Sequence, residues 1–153
     1  MKIRQATKKD IPKLKEMMMS LARFEHKITS LKTANRTTQS FLANYLPKWI
    51  SSKKYIIYIA EEKDKIAGFV FGWKEDVTAA YRNRYVGYIC DCYVEEKYRG
   101  KGFGKALTNR LLAKFKKMGI KEAKLIVLSK SPSVDVWKNL GFCEEYKEMR
   151  KLL

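Results

Sequence analysis

The chain has 153 residues, of which 33 are Lys or Arg and 16 are Asp or Glu, giving a formal net charge of +17 with 46% apolar residues. That length suits a single domain over 1–153, and such a domain buries about two thirds of its unfolded surface, so its core needs neither disulfides nor metal. The composition excludes wide disorder, no apolar run approaches the ~18 residues of a membrane span, and Met1-Lys2-Ile3-Arg4 opens directly into patterned sequence, so a cytoplasmic protein without a leader is expected.

In chain order, residues 2 to 6 read as a short strand. Thr7 or Asp10 then offers a helix cap, with Pro12 near the first turn. Ile11, Leu14, Met17, Met18, Leu21 and Ala22 recur at helical spacing. A second helix is expected over about 37 to 50, with Phe41, Leu42, Tyr45, Leu46 and Trp49 on its buried side. Tyr55 to Ala60 is rich in β-branched and aromatic residues and reads as a strand. The polar residues 61 to 65 form a turn into a return strand from Ile66 to Trp73. A polar connection over 74 to 84 leads to a strand from Tyr85 to Val94.

A glycine-rich loop and a helix over about 102 to 117 follow, the helix ending in Lys116, Lys117 and Gly119. Lys124 to Leu128 is apolar enough for a strand buried on both faces. A short helix over about 133 to 139 ends at Gly141, and a last strand is expected from Phe142 to about Arg150. The order β-α-α-β-β-β-α-β-α-β predicts an α+β fold, with one mixed, mostly antiparallel sheet flanked by helices.

Three cysteines, Cys90, Cys92 and Cys143, are too few for a disulfide framework, and with His26 as the only histidine no metal site is expected. The lysines are scattered through every segment rather than gathered in a stripe. They read as a solvated basic surface, with nucleic acid or ribosomes as the other reading of the charge.

Arg99-Gly100-Lys101-Gly102-Phe103-Gly104-Lys105 is the most informative stretch. Glycines let main-chain N–H groups come close to a ligand, and the helix start behind them adds unpaired donors and the positive end of a dipole. With Arg99, Lys101 and Lys105 beside them, these groups suit a pyrophosphate. A Walker loop is excluded because Arg99 stands at its first glycine and Ala106 at its hydroxyl. A Rossmann fingerprint is excluded because Lys105 stands at its third glycine.

The R-x-x-G-x-G pattern after a strand ending in Val94 resembles the acetyl-CoA site of the GNAT superfamily of N-acetyltransferases. The likeness extends to the Ile3-Arg4-Gln5-Ala6-Thr7 opening and the Trp137-Lys138-Asn139-Leu140-Gly141-Phe142 close. It implies that main-chain groups of Cys92, Tyr93 and Val94 pair with the pantetheine arm of acetyl-CoA, the cosubstrate, and that the amides of Gly100 to Lys105 take its pyrophosphate. It implies an amine substrate attacking the thioester directly through a tetrahedral intermediate, with the Val94 N–H stabilising the oxyanion. A looser likeness to the diamine (spermidine/spermine) branch points to Phe24 and Glu25 as a substrate pair.

The chain departs from the family at the general acid. Trp137 stands where the family has its tyrosine, and Lys130 stands where an asparagine is common. Tyr146 and Tyr93 are the candidate replacements, and Asp91, Glu25 and Glu61 the candidate bases, Asp91 first because its strand passes the cofactor. Peptide amines, lysines, polyamines and small amines stay open as acceptors, and pairing of two copies through strands or helix faces is plausible. The alternative is a noncatalytic acetyl-CoA-binding or RNA/ribosome-associated module of the same fold.

Overall fold

Five strands, β1 (Lys2–Gln5), β2 (Tyr55–Glu62), β3 (Lys65–Asp76), β4 (Tyr85–Val94) and β5 (Ala123–Leu125), lie side by side in chain order in the computed structural model, which describes residues 1–30, 32–78 and 81–151. The first four pair antiparallel and β5 joins β4 in parallel. This is the expected mixed, mostly antiparallel sheet flanked by helices. The β2–β3 hairpin turns on Lys63 and Asp64 alone, at φ 48° and 60°. Positive φ at both central residues is the geometry that matches the twist of the paired strands.

Two helices, α1 (Ile11–Ile28) and α2 (Arg36–Ser51), cover one face of the sheet. Leu14, Met17 and Met18 of α1 and Leu42 and Leu46 of α2 are buried there against Ile57, Ile59, Phe69 and Phe71. Pro12 sits in the first turn of α1 as expected, and Asn35 caps α2 by accepting the Thr38 N–H at 3.1 Å. Phe41 and Tyr45, expected on the buried side, are 47% and 43% exposed. The stripe through 42 and 46 already faces the sheet, so the neighbouring stripe is rotated outward. Its rings stack on each other at 4.5 Å and meet the sheet through Trp49, 5.0 Å from Phe71.

A parallel neighbour needs a crossover, and α3 (Phe103–Lys117) supplies it on the opposite face. Leu107, Leu111 and Phe115 pack against Val70 and Ile89. Gly87 is required by this approach, since a Cβ there would lie 2.2 Å from the Phe115 ring. After β5 comes α4 (Ser133–Asn139).

The C-terminal expectations fail in two places. The apolar run Lys124–Leu128 is a strand only to Leu125, and Ile126 is 72% exposed. Residues 142–151 are irregular and mostly exposed instead of forming a last strand. A three-residue β5 offers little ladder for a neighbour, and the apolar Phe142, Tyr146 and Met149 do not share one face of a strand.

Candidate functional site

The site is organised by an irregularity in β4. Phe71 pairs with Asp91 and Gly72 with Ile89, which leaves Cys90 as an extra residue. Such a bulge sets two residues on one strand against one on its partner. Ile89 packs on the α3 face and Cys90 on the α1–α2 face. Asp91, directly opposite Phe71, shares the α1–α2 face as well. Regular alternation then returns Cys92 to the α3 side.

At the same point the sheet opens. The β4–β5 ladder ends at Ile89 and Leu125, whereas β3 stays paired with β4 as far as Val94. The Glu95 N–H donates to the Ala67 carbonyl at 2.9 Å. Antiparallel alternation therefore turns the main chain of Tyr93 toward β3 as well, and that of Cys92 and Val94 toward the side that β5 has left. The Val94 carbonyl there accepts from Arg99 Nε at 3.0 Å.

The strand runs into a single 3-10 turn, Glu96–Tyr98, and then into the glycine loop. Gly100 and Gly102 hold φ of 73° and 81°, a region where side chains are strained. No heavy atom lies within 4 Å of where a Cβ would stand on either. Gly102 is the cap of α3, so the amides of Phe103, Gly104 and Lys105 lack an intrahelical partner, and among the described residues no capping side chain bonds to them. Arg99, Lys101 and Lys105 are exposed around them. Phe103 is 2% exposed and packs against Tyr98 at 5.5 Å, so its ring anchors the loop and only its amide faces outward. Gly104 has an ordinary φ, and a Cβ on it would meet only Val94 Cγ2, at 3.8 Å. Its lack of a side chain keeps the space beside Val94 clear.

On the α1–α2 face, burial and then the Glu25 charge push the Asp91 carboxyl up to about 6, against the opposing pull of Lys32. Glu25 on the last turn of α1 accepts an ion pair from Lys32 Nζ at 3.4 Å. Burial, and then the Asp91 charge, also push the Cys90 thiol up. Tyr88, its ring tilted against Trp73 at 4.8 Å, is pushed up to about 12 chiefly by burial. A shallow groove of about 520 Å³ runs between α1 and the end of β4, lined by Glu16, Ser20, Tyr93, Glu95, Glu96 and Lys97.

Asp91 and Glu25 are thus brought to one face of β4, with Phe24 half-buried beside Glu25 on α1. Tyr93 lies on the same face, its ring 6.4 Å from Phe69. Tyr146 is elsewhere: it is 79% exposed and bonds to Tyr81, near the start of β4 and the opposite end from Val94. Glu61 is engaged by Arg4 at the far edge of the sheet, at 2.5 and 2.9 Å. Trp137 packs edge-on against Phe142 at 5.6 Å and brings no hydroxyl to the site. Lys32 was not singled out by sequence, because its position depends on the path of the α1–α2 connection rather than on any pattern. Among the described residues, no group of three His, Cys, Asp or Glu could hold a metal, and no helix is long and apolar enough to cross a membrane.

The fold recurs in solved structures. The tetramutant of the BH1408 protein from Bacillus halodurans superposes with a TM-score of 0.86 at 19% identity, over 100% of both chains. A predicted acetyltransferase from Clostridium acetobutylicum, solved with acetyl-CoA, matches at 0.73 and 23% identity over 99% of this chain and 95% of that one. An aminoglycoside acetyltransferase from an uncultured soil metagenomic sample, in complex with sisomicin, matches at 0.71 and 18% identity over 99% and 95%. No curated protein sequence matches. The model of the acetyltransferase (GNAT) family matches residues 17–142, which spans α1 through the glycine loop to Phe142, and the chain therefore belongs to that family.

Proposed function

We propose that this protein is an N-acetyltransferase that moves an acetyl group from acetyl-CoA to a primary amine. The observation that carries the reading is the continuous line from the open side of β4 to the start of α3. Outward main-chain groups at Cys92 and Val94 lead directly into unpartnered loop amides and three exposed bases. A pantetheine arm fits the first part as a strand-like partner. A diphosphate fits the second, where a Cβ on Gly100 or Gly102 would project into open space.

Acetyl-CoA supplies the thioester carbonyl that the amine attacks. The residues of this chain hold the donor, place the carbonyl near the Val94 N–H and take the proton from the amine. One oxyanion donor of this type contributes about 3–4 kcal/mol to transition-state stabilisation. Asp91 is the base, being poised at about 6 on the face where Glu25 draws a cation. No residue is assigned as general acid. Tyr146 is too far away, and a CoA thiol resembling a free cysteine, with a value of about 8.5, leaves as a thiolate without one.

The acceptor is a small molecule that carries an amine. The sisomicin complex of the metagenomic relative makes aminoglycosides the first acceptors to assay. Polyamines come next: like aminoglycosides they are polycations, which the net charge of +17 leaves only the local carboxylates to draw in.

The test has two readouts. Calorimetry at near-physiological salt should detect CoA binding, and Gly102→Val should abolish it by placing a side chain at φ 81° in the cradle. Thiol release with a panel of aminoglycosides, peptides and polyamines should then identify the acceptor. Tight binding with no turnover on any amine would instead favour a noncatalytic module, the reading that Trp137 in place of a tyrosine supports. No binding at all would falsify the donor site itself.

A further inference from the structure

We propose that a strip of rings and lysines running from α2 across β2, β3 and β4 binds single-stranded nucleic acid, the rings stacking on unpaired bases and the lysines meeting phosphates. The strip crosses β4 near its start, the opposite end from Val94, so the inference stands independently of the donor site.

The strip begins on the outward stripe of α2. Phe41 and Tyr45 are exposed there, and their rings lie 5.8 and 6.1 Å from that of Trp49. The line then continues onto the sheet. Trp49 stands 6.2 Å from Tyr55 on β2, Tyr55 5.7 Å from Trp73 on β3, and Trp73 4.8 Å from Tyr88 on β4. Pairing sets Trp73 opposite both Tyr55 and Tyr88, so these three rings share the sheet face on which Trp49 packs. All four are half-buried. The buried Phe71 ring touches Trp49, Tyr55 and Trp73 at 5.0, 5.8 and 5.4 Å, which makes the strip a supported platform rather than a set of loose side chains.

Cations stand over this platform at its start, middle and end. Lys48 Nζ lies 5.1 Å from the centre of the Tyr45 ring, Lys54 Nζ 5.4 Å from Tyr55 and Lys124 Nζ 5.6 Å from Tyr88. All three lysines are exposed. Glu75, two residues beyond Trp73 on the same face, is already held by Lys124 at 2.9 Å.

Exposed rings alone would suit any apolar partner, and the charge selects among them. A second copy would set the same lysines against themselves, on a chain whose net charge is +17. A single strand supplies both halves of the match: each base has a flat face for a ring, and each phosphate can take an ammonium that the base displaces. A duplex keeps its base faces in its own stack and offers the platform only phosphates.

The experiment titrates the full chain into labelled oligo-dT and oligo-U of about 12 nucleotides, read by fluorescence anisotropy at near-physiological salt. Saturable binding of either strand is expected, with a preference between them assigning the sugar. Trp49 and Trp73 should be quenched on binding, and a Trp137→Phe variant should quench as fully, since Trp137 packs with Phe142 on the other face. Phe41→Ala and Tyr45→Ala, checked as folded by circular dichroism, should each weaken binding about fivefold or more. Lys54→Ala should flatten the slope of log affinity against log salt by about 0.7. No binding of either strand, equal affinity for a duplex or for inorganic polyphosphate, or ring variants that bind as the wild type does would each overturn the proposal. So would a wild-type dimer in sedimentation that Tyr45→Ala dissociates, which would give the face to a second copy. Coenzyme A titrations report on the donor site alone and leave this outcome unaffected.

Discussion

Arg99 donates from Nε to the Val94 carbonyl at 3.0 Å, so the first base of the glycine loop is bound to the end of the strand it follows. Its guanidinium also lies 5.8 Å from the centre of the Tyr93 ring. Arg99 therefore sets the angle between strand end and loop as well as adding charge. Arg99→Ala should weaken CoA binding by about tenfold, or 1.4 kcal/mol, in calorimetry. Arg99→Lys should recover little of it, since an ammonium cannot reproduce the directed Nε bond together with the ring contact. Lys101→Ala and Lys105→Ala are exposed charges and should cost less, with an effect that fades as salt is raised. Equal losses at all three positions would show that only charge counts.

Asp91 makes the pH dependence of turnover predictable. A base works when ionised, and this carboxyl is held at about 6, so kcat/KM should rise with pH through that value. Asp91→Asn should remove the limb and lower kcat by about 100-fold or more. Glu25→Gln removes a negative neighbour and should move the limb to lower pH, whereas Lys32→Ala removes a positive one and should move it higher. The stability effect has the opposite sense. A carboxyl whose folded value exceeds its unfolded one favours folding at low pH, and that contribution is lost as pH rises through about 6. Asp91→Asn should therefore melt above the wild type at pH 7. Rate profiles and thermal scans on the same four proteins check both signs.

The glycine loop and α3 were legible because their signals are local: strand, alternating glycines, apolar helix face and basic last turn stand in one stretch. The α1 face was legible from the spacing of Leu14, Met17 and Met18. What escaped depends on neighbours distant in sequence. The bulge at Cys90 carries no glycine or proline, and only the pairing of Phe71 with Asp91 and Gly72 with Ile89 defines it. Yet it decides which face Asp91 takes, which alternation alone left open. The expected strand after Phe142 needed a long edge to pair with, and β5 stops at Leu125. Phe41 and Tyr45 looked like core because aromatic rings at helical spacing do not reveal which of two adjacent stripes meets the sheet. Lys32 could not be singled out, because an exposed lysine in a connection looks like the many others.

Far from the open side of β4, Arg4 ties β1 to the start of α1. Its Nη1 and Nη2 each donate to Asp10 at 2.8 Å, and Asp10 also accepts from the Thr7 N–H at 2.7 Å and the Thr7 hydroxyl at 2.9 Å. Asp10 is 6% exposed, and the Arg4 bonds, against the cost of burial, hold its carboxyl at about 2. The folded value lies below the unfolded one, so the stabilisation is full above about pH 4 and is lost as pH falls through about 2. Asp10→Asn should cost about 2–3 kcal/mol at pH 7, because it leaves the guanidinium facing a neutral group. In urea denaturation, the gap between variant and wild type should shrink as pH falls from 4 to 2. A gap that does not change with pH would mean that Asp10 acts by packing alone.

Thr108 is fully buried on α3, and its hydroxyl has no nitrogen or oxygen partner among the described residues. The thiol of Cys92 lies against it as a weak substitute. An unsatisfied buried hydroxyl costs about 1–3 kcal/mol. Thr108→Val keeps the shape and removes the polar atom, so it should raise the urea midpoint by the equivalent of about 1 kcal/mol with the slope unchanged. A loss of stability would show that the hydroxyl–thiol contact is a real bond.

The cysteines test the direct-attack chemistry. Burial pushes the Cys92 thiol up to about 12, and burial with the Asp91 charge pushes Cys90 up as well. A cysteine nucleophile must be a thiolate, which needs a lowered value and an electropositive setting. Both thiols have the reverse, and the only histidine, His26, spends its Nδ1 on the Lys32 carbonyl at 2.7 Å. Cys90→Ala and Cys92→Ala should therefore keep kcat within about tenfold, a change of no more than about 1.4 kcal/mol in the barrier. Rapid acid quench of the wild type with acetyl-CoA should show no acetyl thioester on either residue. A trapped acyl-cysteine, together with loss of turnover in the matching variant, would replace direct attack by a covalent route and move the acceptor amine to a second step.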